Sequence, residues 1–550
     1  MVDPVSIAGL TIAVVDALIK LGERTAELIS DANAFENDSS ELRNLVNDEN
    51  IQNKLIRNLL FSECWVYGGK TLFEQFDPDI QRQTELLCVE IKSILQEGVE
   101  LLERRYGLSQ GSTGSSFLNI STSSLPKSLS PSVSQNHSGR ASPSFPTLLK
   151  WSFRDKKRVE NVLHSFKDRN SRLKKKVELW CLASQLGVSP DHLMHLQTND
   201  SSRKLGFDKD ASLRMAQWDA GNARESLELM HISWDSCLKE IQPIEHQGMF
   251  NMFTNDARFY IQENHHYDSS MQPQGYPESY VDPRTKSRIE SLAKLLHQPK
   301  EQVFRVLPCV GWKHLPRQSC IAFVFEVQPK PLGSPVSLQR LLFDTDHRPE
   351  LGDKFRLALE LSKCIAQMHM VQWLHKSFRS DNILLLPHSV TDENSSKTRL
   401  EVNYPEPWVL GFEFSRPDPF FSNGQADFEP TRDIYRHPDR QGEPTEMFKK
   451  VHDIYALGVV LLEIGLWEPA IKLEKGLFSH VSDPRAVQAQ LTKHAQKRLQ
   501  ARVGRKYKEV VLKCLSGDFG VEDDSKEDLK LQQAFRHQVV DVIEMAANHV

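Results

Sequence analysis

Cysteine is scarce and unpaired in this sequence: eight residues, Cys64, Cys88, Cys181, Cys237, Cys309, Cys320, Cys364 and Cys514, are spread over 550 positions with no C-x-x-C pair. That spacing excludes zinc ribbons and argues against a secreted disulfide scaffold, so a reducing, cytoplasmic setting is expected. Excess charge is also lacking. With a net charge of −5 the chain has no general attraction for nucleic acid, and none is expected as a partner. Long apolar runs are missing too. The best candidate, in MVDPVSIAGLTIAVVDALIK at the start, runs from Val5 to Val15 before Asp16 interrupts it. That is short of the roughly 20 residues that span a bilayer. Asp3 stands where a signal peptide carries positive charge, and no small-residue cleavage site follows, so export is not expected.

What is present is ordinary globular composition, 39% hydrophobic and 26% charged, over a length that suits two or three cores. Pro4 suits a helix start, and the next proline is Pro78, so residues 5 to about 105 can be mostly helical. Leu55, Leu59, Leu60, Leu86, Leu87, Ile91, Ile94, Leu95, Val99 and Leu102 recur at three- and four-residue steps, which predicts helices packed as a bundle. Residues 108–146 are dominated by serine, proline and glycine and carry too little apolar surface to offset ordering entropy. They read as a disordered insertion. Helical pattern then resumes through Val159, Val162, Leu163, Phe166, Leu173, Val177 and Trp180. Its other faces carry Lys156, Lys157, Arg158, Lys174, Lys175 and Lys176.

Residues from about 185 to 285 read as polar and irregular, with short strand-like runs such as LELMHISW (227–234). Beyond them RIESLAKLLHQ (288–298) reads as a helix, FRVLPCVGW (304–312) and CIAFVFEV (320–327) as strands, and KFRLALELSKCIAQMHMVQWLH (354–375) as a long amphipathic helix. Strands followed by helices predict a two-lobed α+β domain.

Four landmarks follow in order. LHKSFRSDNILLL (374–386) is a helix end, a loop and an apolar strand; PWVLGFEFSRP (407–417) is a strand running into Gly411-Phe412-Glu413. YRHPD (435–439) precedes HDIYALGVVLLEIGLWEPA (452–470), a long apolar helix. This succession resembles that of the protein kinases, in which H-R-D-L-x-x-x-N, D-F-G and A-P-E occur in that order. Residue by residue, His375 takes the histidine place, Ser377 that of the catalytic aspartate, Arg379 that of the loop lysine and Asn382 that of the metal-binding asparagine. Gly411, Phe412 and Glu413 take the D-F-G places, Pro438 and Asp439 the P-E, and Asp453 and Gly458 fall in the buried helix that follows. The base and the metal-binding aspartate are both replaced. Taken singly, each match has a plain reading: His375 a helix end, Asn382 a turn former, Asp453 a helix cap.

The smaller lobe is less legible, with no G-x-G-x-x-G and no V-A-I-K. ISWD (232–235) offers a place for the latter with Asp235 at the lysine, and Glu290 stands as the candidate helix glutamate, alternatively a solvated residue. Residues 225–550 resemble a fungal kinase-like domain (small lobe 225–330, large lobe 331–550), and residues 1–200 resemble the HeLo and HeLo-like, or prion-inhibition and propagation, domains of fungal heterokaryon-incompatibility proteins. Residues 201–224 are expected to link them. The first resemblance implies at most doubtful ATP and magnesium binding at Asn382 and Glu290, and a pseudokinase rather than an enzyme. The second implies a cell-death effector whose first helix inserts through Ile7, Leu10, Val14 and Leu18 while the basic face binds anionic lipid. Such a protein would meet an upstream activating protein, form a homo-oligomer and move from the cytoplasm to the plasma membrane. A divergent active kinase and a non-catalytic scaffold are the alternatives. Ser130 and Ser142, each before a proline in the insertion, are candidate phosphorylation sites.

Overall fold

The structure, a computed structural model, describes residues 4–32, 39–106, 156–217, 226–230, 234, 242–243, 249–266, 283–344, 348–391, 398–412, 430–441, 446–474 and 484–550. The chain divides into two units, Met1–Glu178 with Asp200–Leu205, and Leu179–Asn199 with Gly206–Val550. The expected insertion at 108–146 with Ser130 and Ser142, and the residues Asp235 and Glu413, lie outside the described residues.

The first unit is helical. Pro4 and Pro78 open the helices Pro4–Ala32 and Pro78–Tyr106, at a position where the missing N–H would have no helical partner anyway. Ser39–Phe61 and Lys156–Ala183 complete the set. Leu28 and Ile29, Val46, Val99 and Leu102, and Val159 and Leu163, one group from each helix, share a core. The expected apolar stripe of the third long helix is rotated slightly: Leu86 is exposed, and Thr84, Cys88, Ile91 and Leu95 face inward. Among the described residues no helix is long and apolar enough to cross a membrane.

The second unit corrects the expectation of an irregular region and linker near its start. Pro190–Thr198 and Phe207–Ala216 are helices, as is the first unit's Asp200–Leu205. The Ser189 hydroxyl accepts the His192 N–H, and Pro190 takes the first helical position. Leu193, Leu196, Phe207, Ala211 and Leu213 are the buried positions. A five-stranded antiparallel sheet follows in the order β1-β2-β3-β5-β4, with β1 Gln242–Pro243, β2 Phe250–Asn255, β3 Arg258–His266, β4 Cys309–Leu315 and β5 Cys320–Val327. The first expected strand is displaced: Gln302–Phe304 is a turn of 3-10 helix, so β4 starts only after Pro308.

The helix Pro283–His297 lies between β3 and β4 in the chain and packs on β4. Downstream, β6 Val336–Ser337, β7 Ile383–Leu385 and β10 Trp408–Val409 form a small sheet, and β8 Pro387–Thr391 pairs with β9 Thr398–Val402. The rest is mainly helical. Leu351–Met370 packs on Lys450–Leu466, which packs in turn on Gln500–Ser516. Lys450–Leu466 is buried on nearly every face, the state that an apolar helix without a polar stripe requires. A Cβ at Gly458 would lie 2.8 Å from that of Cys514, so the close approach of the two helices depends on this residue.

Candidate functional site

The long helix ends at Met370, five residues before the expected end, because Gln372 turns left-handed (φ 59°) and the Trp373 N–H closes on Met368 O at 2.8 Å. The loop that follows is pinned from below by Asp453. Its carboxylate accepts the backbone N–H groups of His375 and Lys376, both at 2.9 Å, and lies 3.2 Å from His369 Nε2. Burial works to raise the Asp453 pKa, but His369 and the other donors outweigh it and the carboxyl ends below its ordinary 3.8. Lys376 is thereby held at φ 67°.

His375 is fully buried. Its Nδ1 faces the Ser377 N–H at 3.3 Å and its Nε2 faces Leu410 O at 3.1 Å, so the neutral ring carries its proton on Nε2. Burial pushes its pKa down to about 4. Phe412 stacks on Trp373 (ring centroids 5.0 Å apart) and lies 4.5 Å from the His375 ring, all inside the core.

Asn382 and Gly411 fit one another. Asn382 Nδ2 donates to Ser377 O at 2.7 Å, and its Oδ1 accepts from Arg379 at 3.4 Å, while Arg379 Nε also reaches Asp381 at 2.9 Å. Gly411 has φ 79°, and a Cβ there would fall 2.1 Å from Asn382 Nδ2. No side chain can stand at 411 while Asn382 keeps this position. On the other side the Gly411 N–H donates to Glu263 Oε2 at 3.0 Å, and Glu263 Oε1 lies 2.6 Å from His265 Nε2. Glu263 belongs to β3 and is buried. Sequence reasoning missed it, having placed the only acidic candidate for this strand at Asp235.

Glu290, expected as the helix glutamate, does something else. Its carboxylate accepts from the Ser226 hydroxyl and, at 3.1 Å, from the Leu227 N–H. Residues 227–229 bond in parallel to β4, with Leu229 N to Trp312 O at 2.8 Å and Trp312 N to Leu227 O at 3.1 Å. Lys286 pairs with Glu228 at 2.8 Å. Gly311 is shaped for this strap: a Cβ there would lie 2.4 Å from Leu227 O. Of the expected strand-like run 227–234, the described residues show an isolated bridge at Glu228 and no strand.

Pro438 and Asp439 lie in a 3-10 turn, Pro438–Arg440. Nearby, Tyr435 Oη donates to Glu463 Oε1 at 2.7 Å and accepts from Ser380 Oγ at 2.7 Å. Burial raises Glu463 to about 7.

The expected insertion face of the first unit is divided. Leu18 is 1% exposed and Leu10 57%, with Ile7 and Val14 between; Thr11 and Val15 share the buried side with Leu18. Lys157 and Arg158 are exposed and Lys174, Lys175 and Lys176 half-buried; the Lys156 side chain lies outside the described residues. The basic helix is partly neutralised within the bundle, by Arg158–Glu97 at 3.3 Å and Arg169–Glu90 at 3.1 Å. A buried polar seam joins its helices. Asn170 Nδ2 donates to Glu49 O and Oε2, both at 3.2 Å, and Asn50 Nδ2 donates to Ile19 O at 3.2 Å. The Asn53 amide, in the same seam, has no partner for either atom. Burial raises the Glu49 pKa.

A family model described as a domain of unknown function (DUF7580) matches residues 249–549, from just before β2 to the last helix. No curated protein matches the chain.

Proposed function

The chain belongs to the DUF7580 family, of unknown function, and from that premise we propose that it is a two-part signalling protein of the fungal cell-death type. In this reading a non-catalytic, kinase-like C-terminal part governs a helical bundle that acts on anionic membranes. The observation that carries it is the plugged centre formed by Asn382, Gly411 and Glu263. What supports a kinase-like reading is the order of parts: a five-stranded sheet with a helix between β3 and β4, then a mainly helical portion holding the 375–382 loop. In protein kinases the third strand supplies a lysine to the nucleotide phosphates and to a helix glutamate, while D-F-G supplies a magnesium ligand. Here β3 supplies Glu263 beside Gly411, and Glu290 holds the 226–229 strap.

Each change removes a part of phosphoryl transfer. A hydroxyl at Ser377 in place of the base costs about 10² to 10⁴ in rate. Without lysine or magnesium the developing charge loses its main stabilisation, about 10² to 10³ for each such group. A carboxylate facing the site adds repulsion. The reading expects no thermal shift with Mg-ATP and no phosphate transfer from labelled ATP. Transfer abolished by Asn382→Ala would establish the divergent kinase instead.

The membrane half rests on the resemblance of residues 1–200 and on the polar seam, whose unsatisfied amides gain water when the helices part. Released, the first helix would lie in the lipid interface on Ile7, Leu10, Val14 and Leu18. Lys157, Arg158 and Lys174 to Lys176 would add about 1 kcal/mol each near an anionic surface. The test is a specific protease site placed at residues 219–224 and cut after the full chain has folded, the N-terminal fragment then being freed from the rest by chromatography because Leu213 packs in the C-terminal core. Dye release from anionic vesicles is expected after cleavage and not before. Absence of release in both states removes the membrane half and leaves the scaffold reading.

A further inference from the structure

Among the described residues, one group of metal-ligating side chains comes together outside the plugged centre: His437, Asp439 and His452, whose ligand atoms all lie within 4.8 Å of one another. His437 and Asp439 flank Pro438 on the 3-10 turn, and His452 stands in the first turn of Lys450–Leu466. We infer that these three residues form a site for a zinc-type dication that clips the turn to the buried helix.

The spacing fits. Two ligands each 2.0–2.1 Å from a tetrahedral ion are about 3.3 Å apart, and His437 Nδ1 and Asp439 Oδ2 are 3.3 Å apart. The His452 ring lies beside that of His437, centroids 4.9 Å apart and planes inclined at 31°. Two imidazoles and one carboxylate with an open position form a ligand set that borderline dications prefer. The surroundings are those of a built pocket: Phe448 meets His452 edge-on at 5.1 Å and Tyr455 meets His437 edge-on at 5.3 Å. His437 and Asp439 are half-buried, which leaves a way in.

Backbone donors and neighbouring cations oppose binding. The Nδ1 atoms of His437 and His452 face the N–H groups of Asp439 (3.3 Å) and Lys449 (3.1 Å), long bonds that an ion would displace. Arg440 and Lys449 bring positive charge, but Glu446 draws both away: its carbonyl accepts from Arg440, and its carboxylate lies 2.6 Å from Lys449 Nζ.

The inference stands apart from the preceding proposal. Its test uses the full chain without a polyhistidine tag, stripped with chelator and titrated calorimetrically with zinc chloride, with cobalt(II) absorption as a second readout. One ion per chain is expected, together with a higher unfolding temperature when it is bound. Asp439→Asn, at a half-exposed position, and His437→Ala, at a largely buried one, should each weaken binding by at least the roughly 10- to 100-fold that loss of a supporting group alone costs. Absence of stoichiometric binding overturns the site. Undiminished binding in both folded variants does so equally, since the ion is then adventitious.

Discussion

In the loop cluster of the C-terminal unit the side-chain nitrogens and oxygens of His375, Asn382 and Asp453 all have partners, although Gln262, Tyr455 and Glu463 elsewhere in that unit each leave an oxygen unmet, whereas in the bundle's seam Asn53 has none and Asn50 and Asn170 each leave a carbonyl oxygen unmet. Both clusters are buried and both are made of common polar residues. The difference lies in closure. A satisfied network in a low-dielectric interior fixes one geometry, and a partly satisfied one leaves a penalty that solvent would relieve. The first suits a scaffold that must not move and the second an assembly made to open. The proposed division of labour between the two units depends on that contrast.

The largest test removes the carboxylate that anchors the closed network. Asp453→Ala leaves two backbone N–H groups and His369 without their acceptor, and roughly 3–5 kcal/mol of stability should be lost. Urea unfolding followed by tryptophan fluorescence reads this, because Trp373 lies beside the loop. A loss below about 1 kcal/mol would mean that the network is not what holds the loop.

Protonation attacks that network at His375, and acts on other buried histidines as well, without mutation. His375 and His192 are held at about 4 and His452 at about 3, against an ordinary 6.5, by burial. Their native neutral form contributes fully above pH 6.5, and that contribution is lost as pH falls toward the folded values, on the order of 3 kcal/mol each at full extent. Glu463 acts in the opposite sense. Raised to about 7 from 4.5, its protonated form contributes fully below pH 4.5 and the contribution is lost as pH rises to 7. With three groups against one, the denaturation midpoint should rise from pH 4.5 to 6.5, and Glu463→Gln should steepen the rise. A flat profile would show that the imidazoles are not held neutral.

The loop itself was legible because its signals are local: a helix end, Asn382 and an apolar strand within thirteen residues, then Asp453 at a buried helix start. Glu263 was not legible. It meets Gly411 across 148 positions of chain, and nothing near it in the sequence marks that meeting. The β2–β3 hairpin was missed for a different reason. Asp256 and Ala257 both adopt positive φ, 47° and 62°, in a two-residue turn that usually announces itself with glycine. The helices at 190–216 were hidden by their polar outer faces, although the Ser189-Pro190 start was there to be read. Glu290, readable from the sequence as a candidate helix glutamate or as a solvated residue, is buried, and its partners lie at Ser226 and Leu227, in a stretch with little periodicity of its own.

Restoring the kinase-type residue sharpens the contrast from within the closed network. Gly411→Asp puts a Cβ into the Asn382 amide and a side chain on left-handed backbone, so roughly 2–4 kcal/mol should be lost. Adding Asn382→Ala should recover more than about 1 kcal/mol of this, as expected of residues competing for one space. Additive losses in the double-mutant cycle would refute the complementarity of the two positions. Mg-ATP should still cause no thermal shift, since Glu263 remains.

The smallest effect decides whether the bundle really differs. Asn53 is 2% exposed with both amide atoms unpartnered, so Asn53→Leu, which keeps the branching and the number of side-chain heavy atoms, removes a desolvation penalty and should stabilise the protein by about 1 kcal/mol. The sign is opposite to that of Asp453→Ala and Gly411→Asp. The same change should slow dye release from vesicles after cleavage at 219–224, because parting the helices would then expose an apolar side chain instead of hydrating an amide. A lower urea midpoint for Asn53→Leu would mean that the amide is satisfied after all, as firmly as Asn382, and a bundle so satisfied would have no built-in reason to open.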